Sequence, residues 1–184
     1  MRLLSDGDIT VELAAGRLVI WPQAEGALQP ASVDVHLGPH FAFFAEEGVI
    51  DPREPQAMST LDATGQNCLL PAGGFALAST AEVITLPDDI AGRYEGKSSI
   101  ARLGLASHVT GAFLDPGFSG QVTLELANLS GRPILLRPGM AIGQVAFTYL
   151  HSPCRVPYGP ERGNHYQDQR GPTSSAAYLQ AGVS

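Results

Sequence analysis

Cysteine is scarce in this chain: Cys68 and Cys154 stand far apart and without CxxC spacing. No thiolate metal cluster can be drawn from them, and they read as reduced thiols of a cytosolic protein, with one disulfide as the alternative. Positive charge is also short, 11 Lys and Arg against 18 Asp and Glu for a net charge of −7. That argues against a sequence-independent grip on nucleic acid, which needs a basic face. No apolar run approaches the ~20 residues that span a bilayer, and the opening MRLLSDGDI lacks the apolar core of a secretion signal. The expectation is a soluble, cytoplasmic protein that takes neither membrane nor nucleic acid as partner.

What the chain does have is turns. Its 184 residues include 21 Gly and 14 Pro, and 44% are hydrophobic, enough for a core. Such a composition favours many short strands over long helices. A first helix is expected over Asp6 to Ala15, because Ser5 and Asp8 have the spacing of a short-armed capping box and Gly16 follows. Ile9 and Leu13, one turn apart, would dock it. Ile20 to Pro30 reads as a loop with Trp21 packed inward. Ser32 to Leu37 reads as a strand, and Phe41, Phe43 and Phe44 as another whose rings join the core. From Glu46 to Gln66 the chain is acidic and loop-like, and no chemistry is assigned to it. Strands are then expected from Phe75 to Leu86, over Ile134 to Leu136 and from Ile142 to Leu150, the succession of a barrel or sandwich. Residues 1–184 are expected to form one domain, with 152–184 as a tail. Its Thr173 to Ser184 part reads as a disordered end, while Arg170-Gly171-Pro172 has the makings of a flap over phosphates.

The chemistry concentrates between Gly96 and Glu125. In Gln121 to Ala127 polar and apolar residues alternate with period two, so Gln121, Thr123 and Glu125 share one face of a strand. Covered by a ligand or a neighbouring chain, that carboxylate would lose water and rise toward the range useful for proton transfer. Uncovered, it is an ordinary solvated glutamate, the plainer reading of the residue alone. Lys97-Ser98-Ser99 leads into a short helical turn that carries Arg102 and ends at Gly104. Two hydroxyls, two cations and free backbone donors suit a phosphate chain, although taken alone helix caps for the serines and a solvated face for the cations are the plainer reading. Asp115 before Pro116-Gly117 is either a turn former or an acceptor for a sugar hydroxyl. His108 and His151 read as structural.

Order and spacing separate these readings. GKSSIARLGL (96–105), HVT followed by LDPGFSG (108–120) and TLELAN (123–128) occur in one succession, with RPGMAIGQ (137–144), PYG (157–159) and YQDQRGPT (166–173) after them and QPASVDVHLG (29–38) before them. In these motifs the chain resembles the dCTP deaminases, trimeric relatives of the dUTPases. The resemblance spans nearly the whole chain. It implies a mainly β fold, a dUTPase-like distorted β-barrel or β-clip with a few short helices, assembled as a homotrimer with sites between subunits. It implies Glu125 as the general acid and base, Ser98 and Arg102 as the groups that orient water and stabilise charge at the ring, and Lys97, Ser98, Ser99, Ile100, Ala101 and Arg102 as the phosphate-holding run. Asp115 would accept from the deoxyribose 3′-hydroxyl. The backbone at Thr123 and Leu124 would face the base, and Gln144, Tyr158, His165 and Gln169 would close over sugar and triphosphate. Mg²⁺ would ride on the triphosphate, and dTTP is a candidate inhibitor. Zinc is not expected: none of His36, His40, His108, His151 or His165 begins the H-x-E of the zinc deaminases.

Two positions depart from the family pattern. The chain reads Thr110-Gly111-Ala112 where Thr-Ala-Gly is usual, which loosens 111 and disfavours a positive φ at 112. His165 replaces the usual Lys before Tyr-Gln, exchanging a fixed charge for a titrating one. The first functional expectation is deamination of dCTP to dUTP and ammonia. A second is a bifunctional enzyme that carries the dUTP on to dUMP and diphosphate, with Asp115 helping to place a second water. A third is a deaminase of altered substrate, or a nucleotide-binding trimer without catalysis.

Overall fold

The computed structural model describes residues 2–180. The strands in chain order are β1 (Arg2–Leu3), β2 (Val19–Trp21), β3 (Leu28–Gln29), β4 (Ser32–Phe44), β5 (Met58–Asp62), β6 (Cys68–Leu70) and β7 (Phe75–Thr85). They continue with β8 (Ile90–Gly96), β9 (Leu105–Ala106), β10 (Phe113–Leu114), β11 (Ser119–Asn128), β12 (Ile134–Leu136) and β13 (Ala141–Tyr149). Helix α1 (Asp6–Ala14) precedes β2, and the single turn α2 (Ser98–Ala101) follows β8. Among the described residues no helix is long and apolar enough to cross a membrane.

The architecture is mostly β, as expected, and β4 is its spine. The central order is β10-β8-β13-β4-β7-β11-β9, with β1, β2, β3 and β5 on its margins and β6 paired with β12 apart from it. The first half of β4 pairs with β13 (Val33↔Val145, Val35↔Gly143), and the second half pairs with β7 and β5 (Phe41↔Ala78, Phe43↔Ser59). The two strands expected here are therefore one. Pro39, which lacks an N–H, falls in the register shift between Leu37↔Thr80 and Phe41↔Ala78, where the ladder requires none. At Gly38 the backbone of Ser79 comes so near that a Cβ would meet its carbonyl oxygen at 3.0 Å.

The expected first helix is present. Ser5 Oγ accepts from the Asp8 amide and Asp8 Oδ2 from the Ser5 amide, both at 3.2 Å, and Gly16 ends the helix with φ +67°. Ile9 is fully buried, and Leu13 packs on the core. Glu12 is buried as well, accepting from Tyr149 Oη and Arg17 Nε, both at 2.7 Å. That hydrogen bond holds the Tyr149 phenol up at about 12.

Three local expectations are corrected. Trp21 does not pack inward: it alternates with buried Ile20 on the short strand β2 and is 70% exposed. Of the three phenylalanines Phe41 is fully buried and Phe43 packs against the core, but Phe44, at the far end of β4, is exposed. The segment 46–66 contains β5 and is not all loop.

The apolar cluster extends from Leu4 to Phe147, with Tyr94, Phe41 and Phe147 its largest fully buried side chains. Tyr94 lies across Gly143 of the neighbouring strand, and a methyl group at 143 would overlap the phenol ring. Gly143→Ala is expected to lower unfolding free energy by about 2 kcal/mol or more, measured by urea denaturation; an unchanged midpoint would contradict this packing.

Candidate active site

The alternation of β11 is complete. Val122, Leu124 and Leu126 are buried, and Gln121, Thr123 and Glu125 face the other way, half-buried. Glu125 is paired across the ladder with Leu77 and Thr123 with Ser79. This face floors a cavity of about 910 Å³. The Glu125 carboxylate is held from above by the loop after His108, whose Val109 amide donates to Oε2 at 2.9 Å. Gly111 of the same loop lies so close that a Cβ there would stand 3.0 Å from Oε1. Ala112 is buried, its φ is not positive, and its carbonyl accepts from the Tyr94 amide at 2.8 Å. The Gly-Ala order thus leaves its free side toward the carboxylate and its methyl in the core.

Beneath the loop, the Tyr94 phenol donates to Ser107 Oγ at 2.9 Å, and the His108 ring meets Tyr94 edge-on. Burial first, then the nearby Glu125 charge, pushes that phenol far above its ordinary value. The Tyr158 phenol is also raised, chiefly by burial and further by Asp115; its ring packs edge-on against Phe118.

Six expected site residues line the cavity: Asp115, Thr123, Glu125, Tyr158, His165 and Gln169. The others lie elsewhere in the chain. Leu124 points its side chain into the core, as its place in the alternation requires. Ser98, Ser99, Ala101 and Arg102 are exposed on α2, with Ile100 packed behind them against the core, and none of the five lines the cavity. Nor do the serines cap α2, because the N-cap position falls on Lys97. Lys97 and Gln144 meet a separate polar group, Lys97 bonded to Asp34 and Gln144 accepting from Ser32 Oγ at 2.8 Å.

Sequence reasoning missed the apolar part of the lining. Leu77, beside Glu125 on the neighbouring strand, joins Phe44, Ile50, Pro52, Met58 and Phe75 around the cavity, several of them from the segment given no chemistry. It also missed the extent of the tail. Residues 167–173 run as a strap along the free edge of β11. The Asp168 amide donates to Ser119 O at 2.7 Å, the Gln121 amide to Gln169 O at 3.0 Å, and Gln169 Nε2 to Gln121 O at 2.7 Å. The Gly171 amide reaches Gln121 Oε1 at 2.6 Å and the Thr173 amide reaches Thr123 Oγ1 at 3.3 Å. The Ala176 amide donates to Tyr166 Oη at 2.9 Å, and Tyr178 reaches the cavity, so 173–180 is an ordered end, not the expected disordered one. The remainder of that expectation, 181–184, lies outside the described residues. Among the described residues no group of three or more His, Cys, Asp or Glu is gathered as metal ligands.

A family model described as dCTP deaminase-like matches residues 3–150. The chain belongs to that family. Two relatives named "dCTP deaminase, dUMP-forming" are close to it. One, from Clavibacter michiganensis subsp. michiganensis, is 51% identical over 183 residues, covering 96% of this chain and 91% of the relative. The other, from Streptomyces avermitilis, is 52% identical over 183 residues, covering 96% of each. Among solved structures, the 2′-deoxycytidine 5′-triphosphate deaminase from Agrobacterium tumefaciens superposes with a TM-score of 0.64 at 23% identity over 79% of this chain. The match spans 48% of that solved chain, about half its length, and at this identity it speaks for the fold alone.

The strap makes a prediction independent of turnover. Truncation after Gly163 is expected to speed hydrogen exchange at the Gln121 and Ser119 amides, which bond to Gln169 O and Gln167 Oε1, while Val122, bonded to Thr80 Oγ1 at 2.9 Å, stays protected. Equal protection with and without the tail would refute the strap.

Proposed function

We propose that the protein converts dCTP to dUMP, ammonia and diphosphate, deaminating first and cleaving the dUTP in the same site. The observation that carries the reading is the Glu125 carboxylate, half-buried on the cavity floor and fixed by the Val109 amide, with Asp115 lining the same cavity. Glu125 takes a proton from the water that adds to C4 of cytosine, then delivers a proton to the departing amino group, which leaves as ammonia. Asp115 accepts from the sugar 3′-hydroxyl and helps to place the second water, whose attack at the α-phosphorus expels diphosphate. Thr123 and Leu124 present backbone to the base. Tyr158, His165 and Gln169 close the sugar and phosphate end, where the nucleotide enters with its Mg²⁺. The names of the close relatives favour the dUMP-forming reading over release of dUTP.

Ser98 and Arg102 reach this site from a neighbouring copy in a homotrimer, together with Lys97, Ser99, Ile100, Ala101 and Gln144. Support comes from their position: α2 carries its polar groups outward and away from the cavity of its own chain. Leu103 next to α2, and Val109 and Phe113 near the cavity, are 63%, 56% and 57% exposed, apolar surface of the kind that association covers. dTTP, which shares the sugar and triphosphate, is the proposed inhibitor of the same site.

Glu125→Gln is expected to cut ammonia release at least ~100-fold while dCTP still binds; sustained turnover in that variant would remove Glu125 from its role. Chromatography of products from dCTP, CTP, dCMP and dUTP with Mg²⁺ separates the alternatives, dUMP appearing without a dUTP pool in the reading preferred here. The shared site has its own check. Glu125→Gln and Ser98→Ala subunits, each inactive alone, are expected to regain activity when refolded together, because some mixed sites combine both intact residues; a mixture as inactive as its parts would argue for a site within one chain.

A further inference from the structure

Outside the cavity, a polar row crosses three strands. Asp34 on β4, Gln144 on β13 and Glu95 on β8 are direct cross-strand partners. Lys97, two residues beyond Glu95 at the entry to α2, gives its ammonium to Asp34 Oδ2. Asp34 is the deeper of the two, 12% of its side chain exposed against 27% for Lys97. Oδ2 also lies 3.4 Å from Gln29 Nε2, and the Asp34 amide donates to Ala27 O at 2.8 Å. The buried Oδ1 has no hydrogen-bond partner. Glu95 is occupied separately, by Arg93 Nε at 3.0 Å, with His108 Nε2 at 4.0 Å.

This arrangement constrains Lys97 in two ways. If the ammonium swung away, it would strand a mostly buried carboxylate, and an uncompensated buried charge costs more than the pair gains. The pair is also close to neutral, so an arriving polyphosphate meets directed N–H donors with little net charge behind them. We propose that Asp34 is a positioning residue for the phosphate end of the nucleotide: it pins the Lys97 ammonium and offsets its charge, so that Lys97 aligns phosphate instead of attracting it. The inference rests on the reading of Lys97 to Arg102 as the phosphate-holding run. Long-range attraction then falls to unpaired cations such as Arg102, and Lys97 contributes alignment at the expense of grip.

The test uses the full-length protein with inorganic triphosphate and dCTP as probes. Asp34→Asn keeps the shape and removes the charge. It is expected to tighten triphosphate binding on the order of fivefold at low salt, a gain that fades at high salt, and to lower both KM and kcat for dCTP. A merely structural Asp34 would reduce the active fraction and leave KM as it was. Triphosphate binding that is unchanged or weaker in Asp34→Asn overturns the proposal. If that variant does not fold, Lys97→Gln with and without Asp34→Asn decides: the double variant is expected to bind triphosphate more tightly than Lys97→Gln, because a repelling carboxylate is gone, and equal or weaker binding overturns it. Triphosphate binding needs no deamination, so failure here is distinct from failure to release ammonia.

Discussion

Everything at the candidate site depends on the register of β11. Its apolar set, Val122, Leu124 and Leu126, has one place to go, against the core, and a slip of one residue would bury Glu125 and expose all three. The hydrophobic effect therefore fixes which way the carboxylate faces before any polar contact is made. The Val109 hydrogen bond then chooses where on that face the carboxylate rests. Packing sets the direction and one amide sets the position, a division of labour that lets a flexible acidic side chain serve as a fixed one.

The strap addresses a general weakness of sheets. β11 is paired with β7 along its length but with β9 only at Ala127 and Asn128, so Ser119 to Thr123 would present a bare edge. Residues 167–173 cover it, with Gly120 and Gln169 forming a parallel bridge. Glycine suits this place: Gly120 has φ +152°, and a Cβ there would come within 3.1 Å of the Gln169 amide nitrogen. Covering the edge and roofing the cavity are one structural act, because the same segment delivers Gln169 and Thr173 to the cavity, with Tyr166 just before it and Tyr178 beyond it.

What could be read from the chain alone follows from how far each signal reaches. Helix α1 was legible because a capping box is local, and β11 because period two is local. The role proposed for Glu125's face came only from motif order, since one alternating run is no more a site than any other. The apolar lining was not legible: Ile50, Pro52 and Met58 lie scattered among acidic and turn residues, and their common direction exists only after β5 pairs with β4. The strap was half legible, its QRGPT run noticed but its partner strand some fifty positions earlier being beyond any periodicity. Asp34 was hidden in a strand pattern, where Ser32 to Leu37 gave no sign that one polar position would face Lys97.

The two walls of the cavity have different ancestry in the fold. Glu125 and Thr123 belong to the central sheet, whereas Ile50 and Pro52 hang from the connection between β4 and β5 and support no strand. Drift in that connection can widen, narrow or repaint one side of the chamber while the side that carries Glu125 stays put. Selectivity for a guest and competence for chemistry are thereby open to separate inheritance, so relatives can diverge in what they admit long before they diverge in what they do to it.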